Sequence, residues 1–164
     1  VVPSPAAVVA ARAKATELRP ADLLEPITLA FAEYGKTFTG MDVARANSMM
    51  QTAAIAVARF MQRYDVILAP TLAAPPLDLG RINLSPGVGL QEWGQRVALF
   101  SPFTQMANWT GQPSMSVPLG MAREGLPIGV MFTGRYGEEA LLLRLAAQLE
   151  KAAPWAQRRP ANVA

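Results

Sequence analysis

Between Val97 and Ala122 the sequence carries no Asp, Glu, Lys or Arg, and no other feature limits the fold as strongly. An uncharged run of that length belongs either in lipid or inside protein. Lipid is excluded, because Pro102, Pro113 and Pro118, with Gln105, Asn108 and Gln112 between them, would leave a spanning helix broken and its backbone unsatisfied. The run must therefore lie in protein, cut by its prolines into short elements. Charge is scarce in the rest of the chain too: 16% of residues are charged and 51% apolar, where an average soluble domain has about 25% charged. A chain of 164 residues is one domain's worth and leaves much of its surface in water. Few charges are available to cover that surface, so this is expected to be a single partial domain, 1–164, that packs against more protein. A start at Val1 without Met fits the same expectation.

Several classes of chemistry are excluded from the chain itself. It has no Cys and no His, so disulfides, thiolate or imidazole metal sites and the Ser-His-Asp or Cys-His arrangements cannot be built from it. No metal and no cofactor is expected. The net charge of +3 comes from 12 Arg and 3 Lys scattered singly, with Arg158-Arg159 the only adjacent pair, which argues against nucleic acid as a partner. VVPSPAAVVA lacks the basic opening of a signal peptide. The expected location is the cytoplasm, with no membrane partner.

Residues 1–64 read as helical. Ser4-Pro5 is a cap-and-start pair for a first helix that Arg19-Pro20 stops. Asp22 to Tyr34 reads as a second, with Pro26 in its opening turn and Gly35 as a left-handed residue just past its end. Thr39 and Asp42 form a capping arrangement for a long third helix, along which Val43, Ala46, Met50, Ala53, Val57, Phe60 and Tyr64 recur every three or four residues. That stripe is read as core.

Residues 65–164 read as strand, loop and helix. Val66-Ile67-Leu68-Ala69, closed by Pro70, is a continuous apolar run that suits a buried strand. Thr71 to Leu90 is a long loop punctuated by Pro and Gly. A helix returns near Gln91, and Ser101-Pro102 starts a short helix from Pro102 to Trp109 that Gly111 ends. Ser114 to Val117, closed by Pro118, and Ile128 to Phe132 read as neighbouring antiparallel strands. Glu138 and Glu139 open a last helix, with Leu141, Leu142, Leu145, Ala146 and Leu149 on its apolar face. The class is α/β or α+β, with about three short strands flanked by helices, too few for a self-sufficient sheet.

Motif matches are weak when taken singly. Ala30 with Gly35-Lys36-Thr37 satisfies a loose phosphate-loop pattern, but a helix precedes the glycine where a strand is required. None of the six serines lies in a Gly-x-Ser-x-Gly elbow, and Lys14, Lys36 and Lys151 sit among polar neighbours as solvated lysines do. The sequons at Asn83 and Asn108 carry no weight without evidence of secretion. What stands out is a polar cluster, Ser101, Thr104, Gln105, Asn108, Thr110 and Gln112, beside Phe103 and Trp109. Such a cluster is either a pocket lining or a helix end whose polar groups are satisfied internally.

Four ordered blocks carry a resemblance. Tyr64-Asp65-Val66-Ile67-Leu68-Ala69-Pro70-Thr71, then Ser101-Pro102-Phe103-Thr104 with Asn108 and Thr110-Gly111-Gln112-Pro113, then Ser116-Val117-Pro118-Leu119-Gly120, then Gly125-Leu126-Pro127-Ile128-Gly129-Val130-Met131 are similar to the carboxy-terminal third of amidase signature enzymes. The wording is most similar to bacterial amidases of the aminohexanoate-cyclic-dimer hydrolase type. The resemblance implies the carboxy-terminal part of an α/β/α sandwich with a mixed sheet, in an enzyme that hydrolyses a carboxamide by a Ser-Ser-Lys triad. In that family the triad lies around a Gly-Gly-Ser-Ser-Gly-Gly block, and this chain has no Gly-Gly and no Ser-Ser pair. No catalytic residue is therefore assigned to it. Thr71, Phe103, Thr104 and Asn108 are carried over as substrate-binding residues for a small-molecule amide. The expected partners are the missing amino-terminal portion of the same enzyme and, through exposed apolar surface, a second copy in a homo-oligomer. The contrasting expectation is a non-catalytic interaction module that binds a partner protein.

Overall fold

The computed structural model describes residues 24–83 and 87–158. The expected first helix and the expected start of the second at Asp22 lie outside these residues. The described elements are α1 (Pro26–Gly35), α2 (Gly40–Met61), β1 (Val66–Pro70), α3 (Leu90–Phe100), α4 (Thr104–Thr110), β2 (Ser114–Met121), β3 (Pro127–Gly134) and α5 (Glu139–Ala152).

In α1, Pro26 occupies the first turn, where its missing N–H costs nothing. Gly35 is its last helical residue, not a left-handed residue beyond it. The helix end is tightened instead by N–H bonds from Lys36 and Thr37 to the carbonyls of Glu33 and Tyr34, and the Thr37 hydroxyl also donates to Tyr34 O at 2.7 Å. With those carbonyls satisfied, no left-handed residue is needed.

α2 starts at the expected capping box. The Thr39 N–H donates to Asp42 Oδ2 at 2.9 Å and the Asp42 N–H to Thr39 Oγ1 at 3.3 Å. The Thr39 hydroxyl, and after it the Thr39 N–H, hold the Asp42 carboxyl below the usual carboxylate range. A carboxyl lowered in the folded state stabilises above its unfolded value, about 3.9, and loses that contribution as pH falls through the folded one. The amide resonances of residues 40–43 are accordingly expected to shift toward frayed positions in NMR spectra as the medium is acidified, and Thr39→Ala should produce the same shifts at neutral pH.

The sheet has the order β1-β3-β2 with every pairing antiparallel. No parallel pair of the implied mixed sheet occurs among the described residues. β2 and β3 are neighbours as expected, but β2 does not stop at Pro118; it continues to Met121. Two facts reconcile a proline with a strand interior. β2 is an edge strand, and its register shifts between Val117 and Gly120, so that Pro118 and Leu119 face the single residue Gly129 in a bulge.

β3 is buried on consecutive residues, Met131, Phe132 and Thr133, which point to opposite faces, so the central strand is covered on both sides. On one face Val117, Phe132 and Leu142 form the core, joined by Val66, Met115, Val130 and Leu145. The apolar face of α5 supplies Leu142 and Leu145, as its spacing predicted. Elsewhere α2 and α4 pack together, with Met61 and Ala107 buried. The loop after β1 has no helix or strand among its described residues. It is tied down where the Ala73 N–H reaches Phe100 O at 2.9 Å and where Trp93 Nε1 donates to Ile82 O at 2.7 Å.

Candidate functional site

The short helix α4 begins at Thr104, two residues later than Ser101-Pro102 suggested. Ser101 does not cap it. Its hydroxyl donates back to Val97 O at 2.9 Å, closing α3, and Thr104 Oγ1 donates to Ser101 O at 3.3 Å. The other end is as expected: Gly111 takes φ 74°, a left-handed conformation that glycine adopts without strain. The single hydroxyl proton of Thr110 is shared between Met106 O at 2.9 Å and Gln112 Oε1 at 3.0 Å, and Gln112 Nε2 donates to Gly134 O at 2.9 Å. Four of the six residues in the polar cluster are thus engaged in hydrogen bonds within the protein, Gln112 joining the end of α4 to β3. For these the internally satisfied reading holds.

Of the four substrate-binding residues carried over from the resemblance, Thr71 sits just past β1. Its N–H extends the ladder to Gly129 O at 3.0 Å, and its hydroxyl pairs with Ser116 Oγ at 2.5 Å. Phe103 and Thr104 form the corner between α3 and α4. That corner starts three residues after Phe100, whose carbonyl binds Ala73, two residues beyond Thr71. Asn108 is exposed near the other end of α4. It lines a shallow depression with Asn47, Met50 and Gln51 of α2 and with Trp109. Thr71 and the Phe103-Thr104 corner are therefore linked through the loop, while the depression that Asn108 lines includes neither.

Beside that depression is an apolar cleft of about 450 Å³ walled by Ala54, Ile55, Ala58 and Met61 of α2 and closed by Thr110, Gln112, Arg135 and Tyr136. At its rim Arg135 Nη2 meets Asp65 Oδ1 at 2.6 Å, an exposed pair that joins the start of β1 to the end of β3. Exposed pairs of this kind contribute little to stability.

Ser116 and Gly129 were not singled out from the sequence as site residues. Gly129 allows the Thr71 and Ser116 hydroxyls to meet, since a Cβ there would lie 2.6 Å from Ser116 Oγ and 2.7 Å from Thr71 Oγ1. The legible signal was a glycine inside a strand, which marks close approach of other groups. Lys36 pairs with Glu33 at 2.7 Å on the exposed end of α1, and Lys151 is exposed at the end of α5. Lys14 lies outside the described residues. Among the described residues no helix is long and apolar enough to cross a membrane.

A sheet buried on both faces of its central strand and packed against helices, with the paired hydroxyls of Thr71 and Ser116 on it, defines an α/β scaffold. Sequence comparison makes this specific. The chain belongs to the Amidase family, whose sequence model matches residues 5–143. It is 42% identical over 103 residues to a 6-aminohexanoate-cyclic-dimer hydrolase of Pseudomonas sp. (strain NK87), covering 59% of this chain and 20% of that protein. It is 41% identical over 103 residues to the enzyme of the same name from Paenarthrobacter ureafaciens, again 20% of that protein. The solved structure of a 6-aminohexanoate cyclic dimer hydrolase superposes with a TM-score of 0.73 at 34% identity, over 88% of this chain and 31% of that one. The chain thus spans about a fifth of the length of these curated relatives.

Proposed function

We propose that this chain forms the carboxy-terminal wall of an amidase that hydrolyses the C–N bond of a small-molecule carboxamide, its catalytic groups residing on polypeptide outside these residues. In this reading a serine attacks the carbonyl, a second serine passes its proton toward a lysine, loop amides hold the oxyanion, the proton returns to the departing amine, and water then breaks the serine ester, releasing the acid and restoring the serine proton. Thr71 and the Phe103-Thr104 corner border the acyl part of the substrate, with Asn108 further along α4. The amino-terminal portion of the same enzyme is the partner, and the enzyme works in the cytoplasm. Amides like the cyclic dimer of 6-aminohexanoate named in the relatives are the first substrates to try.

The observation that carries this reading is the contrast between a family match over residues 5–143 and a chain with no Ser-Ser or Gly-Gly pair in it. The reading predicts that the purified chain will neither turn over a panel of linear and cyclic amides nor react with a fluorophosphonate probe. A labelled serine within the chain, or hydrolysis lost on changing one of its own side chains, would overturn it.

A further inference from the structure

The face of the sheet opposite Phe132 carries two hydroxyl pairs. Ser114 and Ser116 are two residues apart on β2, so they point to the same side, and Ser114 stands across from Thr133, the neighbour of Phe132 on β3. Ser114 Oγ meets Thr133 Oγ1 at 2.7 Å, and Ser116 Oγ meets Thr71 Oγ1 at 2.5 Å. The second pair reaches over the central strand. β1 and β2 lie on opposite sides of β3, and the two hydroxyls meet only because Gly129 of β3 puts no side chain between them.

The two pairs differ in their surroundings. Thr133 is 1% exposed, so its bond to Ser114 satisfies a hydroxyl that would be costly to bury alone. Thr71 is half-buried and Ser116 exposed. Their two hydroxyls bring two protons, and one of these fills the bond between the oxygens. The other has no acceptor among the described residues. Thr71 itself has little freedom left: its N–H is held by Gly129 O at 3.0 Å, and its χ1 is confined to a few staggered wells. The bond to Ser116 selects among those wells.

We infer that Ser116 is a positioning residue: its hydroxyl donates to Thr71 Oγ1 and holds Thr71 in the rotamer whose own O–H is turned to a carbonyl oxygen in the acyl part of the amide. This rests on the proposed function, which sets Thr71 against the substrate, and adds to it the residue that aims Thr71. Ser116 acts through Thr71 and does not touch the substrate. The loop that follows Thr71 is tied by the Ala73 N–H to Phe100 O, which carries the same fixed geometry toward the Phe103-Thr104 corner. Without the Ser116 hydroxyl, Thr71 would occupy more than one well and would be ordered only as substrate arrives, a cost that falls on binding.

The test uses a chimera in which the chain replaces the matching segment of the Pseudomonas sp. hydrolase, with the cyclic dimer of 6-aminohexanoate as substrate. Ser116→Ala should raise KM by about 2- to 10-fold, the worth of one hydrogen bond, with kcat nearly unchanged. Ser116→Thr, which keeps the hydroxyl, should restore KM. Ser114→Ala breaks the neighbouring pair and should leave KM as it was, a difference that two merely structural serines would not show. An unchanged KM in Ser116→Ala, or an equal rise in Ser114→Ala, overturns the inference. The rotamer is read separately in the chain alone, from the three-bond couplings of Thr71 in NMR spectra: a single χ1 well is expected in the parent and in Ser116→Thr, and averaging over wells in Ser116→Ala. Couplings unchanged in Ser116→Ala overturn the inference whatever the chimera does. A folded chimera that hydrolyses nothing counts against the proposed function alone, and the dissociation constant for the cyclic dimer then takes the place of KM. If the chimera fails to fold or to bind, the couplings decide.

Discussion

Phe132→Ala is expected to destabilise the protein by about 3–5 kcal/mol, the range for removing a buried aromatic ring. Phe132 is at the middle of the central strand, paired with Leu68 on one side and Met115 on the other, and it meets Val117 and Leu142 in the core. Its neighbours come from three elements, so no single one of them can move in to fill the cavity. Among the described residues the main core cluster has three buried members, and one of them would be lost. Urea unfolding followed by circular dichroism should show a lower midpoint with little change in slope. Phe132→Leu, which keeps most of the volume, should cost less than about 1.5 kcal/mol and serves where the alanine variant cannot be recovered. A loss below about 1 kcal/mol for Phe132→Ala would mean that the α5 face is not the main core.

The same residue shows why the centre of the fold was legible. β3 announced itself as the short apolar run Ile128-Gly129-Val130-Met131-Phe132 and α5 by its leucine spacing, both signals that depend on burial against a near neighbour. α2 was legible for another local reason, since Thr39 and Asp42 are three residues apart and cap each other directly. The misreadings lie where a distant partner decides. Pro118 reads as a terminator until it is known that β2 is an edge strand whose bulge faces Gly129. Ser101-Pro102 has the form of a helix start, yet the Ser101 hydroxyl is drawn back to Val97 O by the end of α3. Gly35 sits where a left-handed residue is common, but the Thr37 hydroxyl already satisfies the helix end.

The site was less legible than the fold. Thr71 was reached only through the resemblance, because nothing in its local sequence signals that a hydroxyl 45 positions away will bond it. Ser116 looks from the sequence like any outward residue of an alternating strand. The Asp65–Arg135 pair spans 70 positions and is equally invisible before β1 and β3 are known to be antiparallel. Contacts set by topology cannot be read from spacing. β1 is a different case: its apolar run reads as a buried strand, yet Leu68 is 63% exposed because β1 lies at the margin of the sheet, beyond the reach of α5, which packs on β3 and β2.

Gly129→Ala should be the second large effect, at about 1–3 kcal/mol, typical of forcing a methyl group into a filled space. Backbone strain contributes nothing, because Gly129 is not among the glycines with positive φ. The cost is steric. The new Cβ would stand 2.6 Å from Ser116 Oγ, 2.7 Å from Thr71 Oγ1 and 3.1 Å from Thr71 Cβ. Ser116 can turn its hydroxyl away, but Thr71 is branched at Cβ and stiff, and its N–H is bonded to the carbonyl of Gly129 itself. The strain should therefore fall mostly on Thr71. Ser116→Ala alone gives up one hydrogen bond, worth about 0.5–1.5 kcal/mol. Combined with Gly129→Ala it removes one of the two clashing oxygens, so the double variant should be more stable than the sum of the single losses predicts, by about 0.5 kcal/mol or more. Strict additivity in urea unfolding would show that the methyl group does not meet Ser116. In the assembled enzyme of the proposed function, which sets Thr71 against the substrate and outside the proton path, the displaced Thr71 should raise KM for the amide with a smaller change in kcat. An unchanged KM in a folded Gly129→Ala enzyme would remove Thr71 from the proposed pocket.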